Sequence, residues 1–191
     1  MPSPVLHTLP AVLIAKAAAG TSTKRNETVL IASAVVAANV PDLDFVPGIL
    51  VGDPGMFHHL ASHSLSAAVV FGVLSALVAR LAHYPAAGRL GLVTGLAYVS
   101  HLLLDATAPL DDAGRGVPLF WPLSYRMFVS PIRLFMGIGL EPSRGGLIAS
   151  VMTAHNMVAL GLEVLVVVVV FGGLRLARVV RKRSHRSDMS P

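Results

Sequence analysis

The stretch LGLVTGLAYVSHLLLD, from Leu90 to Asp105, decides how this chain is interpreted, because it is an apolar segment that ends in two ionisable side chains. His101 and Asp105 are four residues apart, so on a helix they project from one face with Cβ atoms about 5 to 6 Å apart. Such a pair either forms a self-contained hydrogen bond or supplies two ligands to a metal ion. The surrounding sequence discriminates between these two interpretations.

The composition around this stretch is that of a membrane protein. Of the 191 residues, 54% are hydrophobic and 13% are charged, and the mean hydropathy is +0.70. A soluble domain of this length needs a more polar surface. The chain has no cysteine, which excludes disulfides, thiolate zinc sites and cysteine nucleophiles. Its eight histidines are therefore the main resource for chemistry.

Apolar stretches predict an all-α integral membrane bundle of about five helices. A span needs about 20 apolar residues, so the shorter stretches must be tilted, extended or shielded inside the bundle. We expect residues 1–174 to form a single transmembrane domain. The stretches run from Val5 to Gly20, Thr28 to Val40, Leu65 to Ala82, Leu90 to Leu104, and Gly146 to Leu174.

The connection between the fourth and fifth predicted helices is aromatic and basic rather than simply polar. Its segment from Val117 to Phe135 contains one tryptophan, one tyrosine and two arginines. Aromatic side chains of this kind are enriched where the membrane meets water. We expect this segment to lie at headgroup depth, either as an interfacial anchor or as a substrate-recognition element.

Basic residues predict the orientation in a cell membrane. When five spans alternate, Lys24, Arg25, Arg80, Arg89 and the tail at 175–191 fall on one face, which the positive-inside tendency makes cytoplasmic. The tail follows an apolar stretch and has no aromatic residue, so we expect a disordered juxtamembrane segment that attracts anionic lipid. The net charge of +5 therefore predicts no nucleic-acid partner.

The same topology brings histidines and aspartates to the opposite, extracytoplasmic face. This agreement is partly independent, because the topology was assigned from lysines and arginines alone. Imidazole and carboxylate ligands suit one or two divalent ions, with zinc favoured and manganese or iron as alternatives. The first-choice ligands are Asp44, His63, His101 and Asp105, and the second-choice ligands are His7, Asp42 and His59.

Charge arguments favour a cation beside this group. Asp42 and Asp44 follow a helix that Pro41 should end, where the negative end of the helix dipole repels both carboxylates. No lysine or arginine is adjacent in sequence, so the compensating charge must come from another helix or a metal. His63 opens the third helix, and we expect the positive end of that dipole to keep its ring neutral. The four-residue spacing of His59 and His63 predicts a second pair on one helical face.

These motifs, in this order, resemble the YdjM-type family of membrane-bound metal-dependent hydrolases. The resemblance lies in His7, PDLD from Pro41 to Asp44, HHLASHS from His58 to Ser64, and SHLLLD from Ser100 to Asp105. Leu60 stands where that family usually has an arginine.

The order of the motifs is also remotely similar to the zinc-dependent phospholipase C class. This similarity implies one ion held by Asp42 or Asp44, by His59 or His63, and by His101. It also implies that Asp105 bridges to a second ion near His7.

The leading hypothesis is a membrane-embedded, metal-dependent hydrolase of an ester or phosphoester in a membrane lipid or lipid-linked substrate. Water on the metal would be the nucleophile, and His58, with His59 beside it, is the candidate general acid or base. Glu163 lies inside the last apolar stretch and motivates a metal or proton transporter as the alternative. A non-catalytic membrane scaffold is the third hypothesis. The sequence assigns no role to His155, which lies on the same helical face as Glu163.

Overall fold

The fold is all-helical, as the sequence predicted. A computed structural model describes residues 1–53, 55–110, 114–139, 149 and 151–187, with side chains as far as residue 177. Within these ranges two 3-10 turns, Pro41–Asp44 and Ala61–His63, separate some of the helices. The helices are α1 (Pro4–Ala19), α2 (Lys24–Asn39), α3 (Phe45–Leu50), α4 (Leu65–Leu81), α5 (Ala87–Ala106) and α6 (Ala154–Ser187).

Helix α5 is the centre of the bundle and packs against α1, α2 and α4. Small residues allow the close approach to α4, because a Cβ atom at Gly91 would lie 2.6 Å from the backbone oxygen of Gly72. Alanines fill much of the interface between α1, α2 and α5. Small side chains at helix contacts are typical of membrane bundles, where backbone proximity replaces the hydrophobic driving force of water. The last turns of α5 are also inside the bundle, where His101, Leu102 and Asp105 are buried.

Some of the helices are long and apolar enough to span a membrane. Ala87–Ala106 and Ala154–Ala177 are long and apolar enough on their own. Lys24–Asn39 and Pro41–Leu50 form a pair bent by 41° that passes the same test together. Helices α1 and α4 are apolar but shorter. The described residues therefore contain two helices that could span a membrane, or three with the bent pair, and the five-span topology stays a prediction.

Helices α2 and α6 have boundaries that differ from the predicted ones. Helix α2 begins at Lys24 rather than Thr28, because the Thr23 hydroxyl accepts a hydrogen bond from the Asn26 backbone and caps the first turn. Helix α6 begins at Ala154; the earlier part of the predicted stretch, residues 146–148, lies outside the described residues. The same helix continues to Ser187, through a segment we expected to be disordered. Arginine and lysine are good helix formers, which accounts for this extension.

The connection before α6 covers the end of the bundle where α4 begins and α5 ends. Val117 and Phe128 exchange two backbone hydrogen bonds of 2.8 Å, and Ser130 donates one to the Ala106 carbonyl at the end of α5. Several large apolar side chains of this segment are exposed, among them Tyr125 and Leu123, whose exposure is 94%. An exposed apolar edge of this kind is consistent with the predicted interfacial position.

Glu163 joins α6 to the beginning of α1. Its side chain is buried, and its two carboxylate oxygens accept hydrogen bonds of 3.2 and 3.0 Å from the Ser3 backbone N–H. Ser3 is the N-cap residue of α1, and its own side chain makes no capping bond. A carboxylate at this position also complements the positive end of the helix dipole. The acid inside the last apolar stretch is therefore a helix cap supplied by a neighbouring helix.

We expect Glu163→Leu to lower the free energy of unfolding by about 1–3 kcal/mol, because the buried Ser3 N–H loses its acceptor. Glu163→Gln retains one acceptor oxygen and should lose less. Thermal unfolding of both variants and the wild type in the same detergent measures the order of their stabilities. Equal unfolding temperatures for Glu163→Leu and the wild type would contradict the assignment.

Candidate metal centre

Four parts of the chain bring histidines and aspartates to one end of the bundle. The first turn of α1 carries His7, and the turn after α2 carries Asp42 and Asp44. The connection before α4 carries three histidines, and the end of α5 carries the remaining pair. Every histidine in the group is buried, and so is Asp105. The structure thus brings together all the predicted site residues, namely His7, Asp42, Asp44, His58, His59, His63, His101 and Asp105.

Four of these residues have the spacing of a single metal site. Asp42, His63, His101 and Asp105 each offer one ligand atom, and these atoms all lie within 4.8 Å of one another. The Nε2 atoms of His63 and His101 are 3.2 Å apart, and the His101 Nε2 is 2.9 Å from Asp105 Oδ2. Ligands about 2.0–2.1 Å from a tetrahedral zinc ion lie about 3.3 Å from one another. We call this set the four-ligand cluster.

The candidate carboxylate ligand atoms of the cluster lack the hydrogen bonds that buried polar atoms usually make. The His101 Nδ1–H donates to the Ala38 carbonyl at 2.8 Å, so the Nε2 of a neutral ring carries a lone pair. The carboxylate oxygens of Asp42 and Asp105 are buried, and none accepts a hydrogen bond. Buried carboxylates without donors are costly unless they are paired with a cation. The residues therefore fit a divalent ion.

The charge state of His63 differs from the sequence prediction. Burial by itself lowers the pKa of this ring, but the nearby carboxylates of Asp105, Asp42 and Asp44 outweigh it and raise the pKa well above its ordinary value. The helix dipole that we expected to keep His63 neutral is weaker than three carboxylates. These carboxylates favour the protonated His63 ring, and a metal ion that binds here must displace the proton.

The predicted helical pair of His59 and His63 is wrong in its geometry. The two residues do not lie on one helix, since His63 belongs to the 3-10 turn and His59 precedes it with φ of 54°. Both nevertheless approach the same carboxylate oxygen, because the Nε2 atoms of His59 and His63 lie 3.7 and 3.4 Å from Asp105 Oδ2. The connection before α4, rather than one face of a helix, therefore brings the two rings close together.

Asp105 faces histidines with both of its oxygens. Its Oδ1 is 3.5 Å from the His7 Nε2, while its Oδ2 faces the four-ligand cluster. The His7 ring stacks on His101 with a centroid distance of 3.9 Å. Each oxygen of Asp105 therefore faces a histidine, and the bridging of two ions stays a prediction.

A hydrogen-bonded network holds Asp44 in place, and sequence reasoning missed two of its members. Ser62 Oγ donates to Asp44 Oδ2 at 2.7 Å, and the Tyr98 hydroxyl donates to the Ser62 carbonyl at 2.6 Å. Tyr98 lies three residues before His101 on α5, so the helical face that carries the metal ligands also carries this tyrosine. Outer groups of this kind orient ligands and tune their basicity.

His58 links the site to a cavity of about 360 Å³. Its Nδ1 lies 2.9 Å from Asp44 Oδ1, and its Nε2 is buried without a hydrogen-bond partner. Burial lowers the pKa of His58 to about 4 in spite of the neighbouring Asp44. Phe45, Gly137 and His155 also line the cavity. His155 itself is exposed and lies outside the cluster, where its Nε2 donates to the Gly137 carbonyl at 3.0 Å.

We expect the purified protein to bind at least one divalent ion tightly, and His101→Ala and Asp105→Asn to weaken that binding by more than tenfold. Elemental analysis after extensive dialysis, together with titration by zinc, measures the loss. His83→Asn is the matched control, because His83 is an exposed histidine outside the cluster and asparagine tolerates its φ of 54°. Metal content that is near zero in the wild type, or equal in all variants, would contradict the site.

Comparison with known proteins supports the membrane assignment. Searches of curated proteins and of solved structures gave no match, so they add no support for the remote similarity to zinc-dependent phospholipases C. A family model described as YdjM inner membrane protein matches residues 1–180, which include every residue of the site. The chain belongs to the YdjM inner membrane protein family.

Proposed function

We propose that this protein is a membrane-embedded, metal-dependent hydrolase that cleaves an ester or phosphoester in a membrane lipid or lipid-linked substrate. The observation that carries the proposal is the four-ligand cluster, with its buried carboxylate oxygens that no donor satisfies. Zinc suits its mixture of imidazole and carboxylate ligands best, with manganese or iron as alternatives. When bound, such an ion supplies an acidified water and polarises the scissile oxygen.

The chain's own residues supply the other requirements of hydrolysis. Asp44 fixes the His58 ring through Nδ1, which leaves Nε2 to exchange a proton with a substrate in the cavity. His59 contacts the Asp105 carboxylate and is the second candidate for this role. Phe45 and Pro109 give the cavity an apolar wall that excludes water from the reacting bond.

Position in the membrane supports a lipid substrate. Exposed apolar side chains of the connection before α6 surround the end of the bundle that holds the site. Arg89 at the other end donates a hydrogen bond to Ser22, which joins the α1–α2 connection to the start of α5. That end collects Lys24, Arg25, Arg80 and Arg89, so the positive-inside tendency makes it cytoplasmic and the site extracytoplasmic.

The alternative functions have less support in the structure. Glu163 motivated a transporter, but its carboxylate caps α1 through Ser3 and therefore has a structural role. A non-catalytic scaffold would satisfy its buried carboxylates with well-aligned hydrogen bonds, whereas those of Asp42 and Asp105 face histidine nitrogens at 2.9 to 3.7 Å without such alignment. Metal content discriminates between these two hypotheses, because the scaffold predicts no stoichiometric metal and the enzyme predicts at least one ion.

We expect the metal-loaded protein in detergent to hydrolyse at least one of three soluble probes: p-nitrophenyl butyrate, p-nitrophenyl phosphate or bis(p-nitrophenyl) phosphate. Chelation should abolish the activity, and zinc or manganese should restore it. His58→Gln should retain its metal and lose roughly 100- to 10,000-fold in kcat, the usual contribution of general acid–base catalysis.

The control for this measurement is again His83→Asn, whose turnover should equal that of the wild type. Turnover that survives complete removal of the metal would overturn the proposal. Failure of the metal-loaded protein to cleave any of the probes, or of phospholipids in mixed micelles, would count equally against it.

A further inference from the structure

A groove of about 670 Å³ lies between α1, the turn after α2, and α6. Its apolar lining includes Val5 and Leu9 on α1 and Val167 and Phe171 on α6. Glu163 binds α1 near one end of this helix pair, and the ammonium group of Lys16 lies 5.7 Å from the Phe171 ring near the other. The groove therefore follows two helices of a membrane protein, where the surrounding solvent is hydrocarbon.

The groove reaches the metal centre. Asp42, a member of the four-ligand cluster, is one of its lining residues, and Asn39 lies one turn earlier in the chain. A second apolar groove, of about 650 Å³ between α2 and α4, is lined by no residue of the cluster. Contact with the site therefore distinguishes the groove between α1 and α6 from an ordinary lipid-facing depression.

Asn39 provides an independent indication of a ligand. Its amide nitrogen donates to the Val35 carbonyl at 2.8 Å and to Thr8 Oγ1 at 3.4 Å, which fixes the orientation of the amide. The carbonyl oxygen of the same side chain is buried and has no hydrogen-bond partner. A buried acceptor beside an apolar groove is costly unless a ligand brings a donor to it. A hydroxyl or amide group of an amphiphile would supply that donor.

We infer that the groove between α1 and α6 admits an acyl chain of a membrane lipid laterally from the bilayer, with the lipid's polar part at Asn39 and Asp42. This inference rests on the proposed function and names its substrate class. The substrate is a long-chain amphiphile with a hydroxyl or amide donor and a hydrolysable bond close to its acyl chain. Val5, Leu9, Val167 and Phe171 bind the chain, and the four-ligand cluster meets the bond.

Lipid labelling tests the groove without relying on activity. The full-length protein is reconstituted in phosphatidylcholine and phosphatidylglycerol vesicles that contain a phosphatidylglycerol with a diazirine in one acyl chain. After irradiation, mass spectrometry maps the adducts. We expect adducts on Leu9 and Leu43, which line the groove. Val167→Trp should carry roughly tenfold fewer adducts, because the indole takes up space in the groove and so removes contacts equivalent to about two methylene groups of the acyl chain.

The matched control is Val168→Trp, which places the same indole one residue away at a position that is 61% exposed. This variant should label Leu9 and Leu43 as the wild type does. Val5→Trp fills the same groove from the α1 side. It is the variant to use if Val167→Trp no longer binds metal or no longer shows a cooperative thermal transition. Equal labelling of the blocked and control variants would overturn the inference.

Chain-length selectivity separates this inference from the proposed function. We expect the ratio of kcat/KM for a long-chain substrate to that for its short-chain analogue to fall roughly tenfold in Val167→Trp. The ratio should not change in Val168→Trp. Groove labelling without hydrolysis of any substrate would overturn the proposed function, and with it the assignment of the lipid as substrate. Hydrolysis with a ratio that no variant alters would overturn the groove and leave the hydrolase intact.

Discussion

The burial of two carboxylates without hydrogen-bond donors is the constraint on which the rest of this structure depends. Asp42 and Asp105 lie in a chain of which only 13% of the residues are charged, and no lysine or arginine is paired with them in the described residues. Uncompensated charge in such surroundings would oppose folding. Four separate parts of the chain must therefore converge with imidazole groups around one cationic position. The packing of α5 against α1, α2 and α4 supports that convergence, because the buried end of α5 carries two of the ligands.

The sequence predicts the members of the site better than it predicts their geometry. An apolar chain can place few ionisable groups without partners, so the histidines and aspartates that the topology brings to one membrane face are candidates from the sequence alone. The helical spacing of His101 and Asp105 was sufficient to predict that they share a face. Spacing failed for His59, because a residue with positive φ in a turn does not follow the helical period. The helix dipole failed for His63, since three carboxylates from two other elements determine the charge of its ring.

Other features depend on contacts between distant parts of the chain and have no local signal. Glu163 caps a helix that begins 160 positions earlier, and nothing in the sequence near Ser3 indicates an external cap. The bond from Tyr98 to Ser62 joins α5 to the connection before α4. The packing of helices that are far apart in sequence determines both contacts. The intramembrane acid that pointed to a transport route therefore supports the first turns of α1, and so fixes the position of His7 relative to Asp105.

The orientation of the imidazole rings argues for a ligand-binding centre rather than a structural polar network. A structural network would direct ring N–H groups at the buried carboxylates, which would satisfy them at no further cost. His101 instead gives its Nδ1–H to the Ala38 carbonyl and turns its Nε2 toward the Nε2 of His63. The facing ring nitrogens of His63 and His101 and the carboxylate oxygens of Asp42 and Asp105 lie around one point, where either the proton of a His63 imidazolium or a metal ion can supply the positive charge. His58 differs, because its Nδ1 is bound to Asp44 and its buried Nε2 has no hydrogen-bond partner. The arrangement thus separates residues that could hold a cation from a histidine whose Nε2 has no hydrogen-bond partner, and the proposed hydrolysis requires both kinds of group.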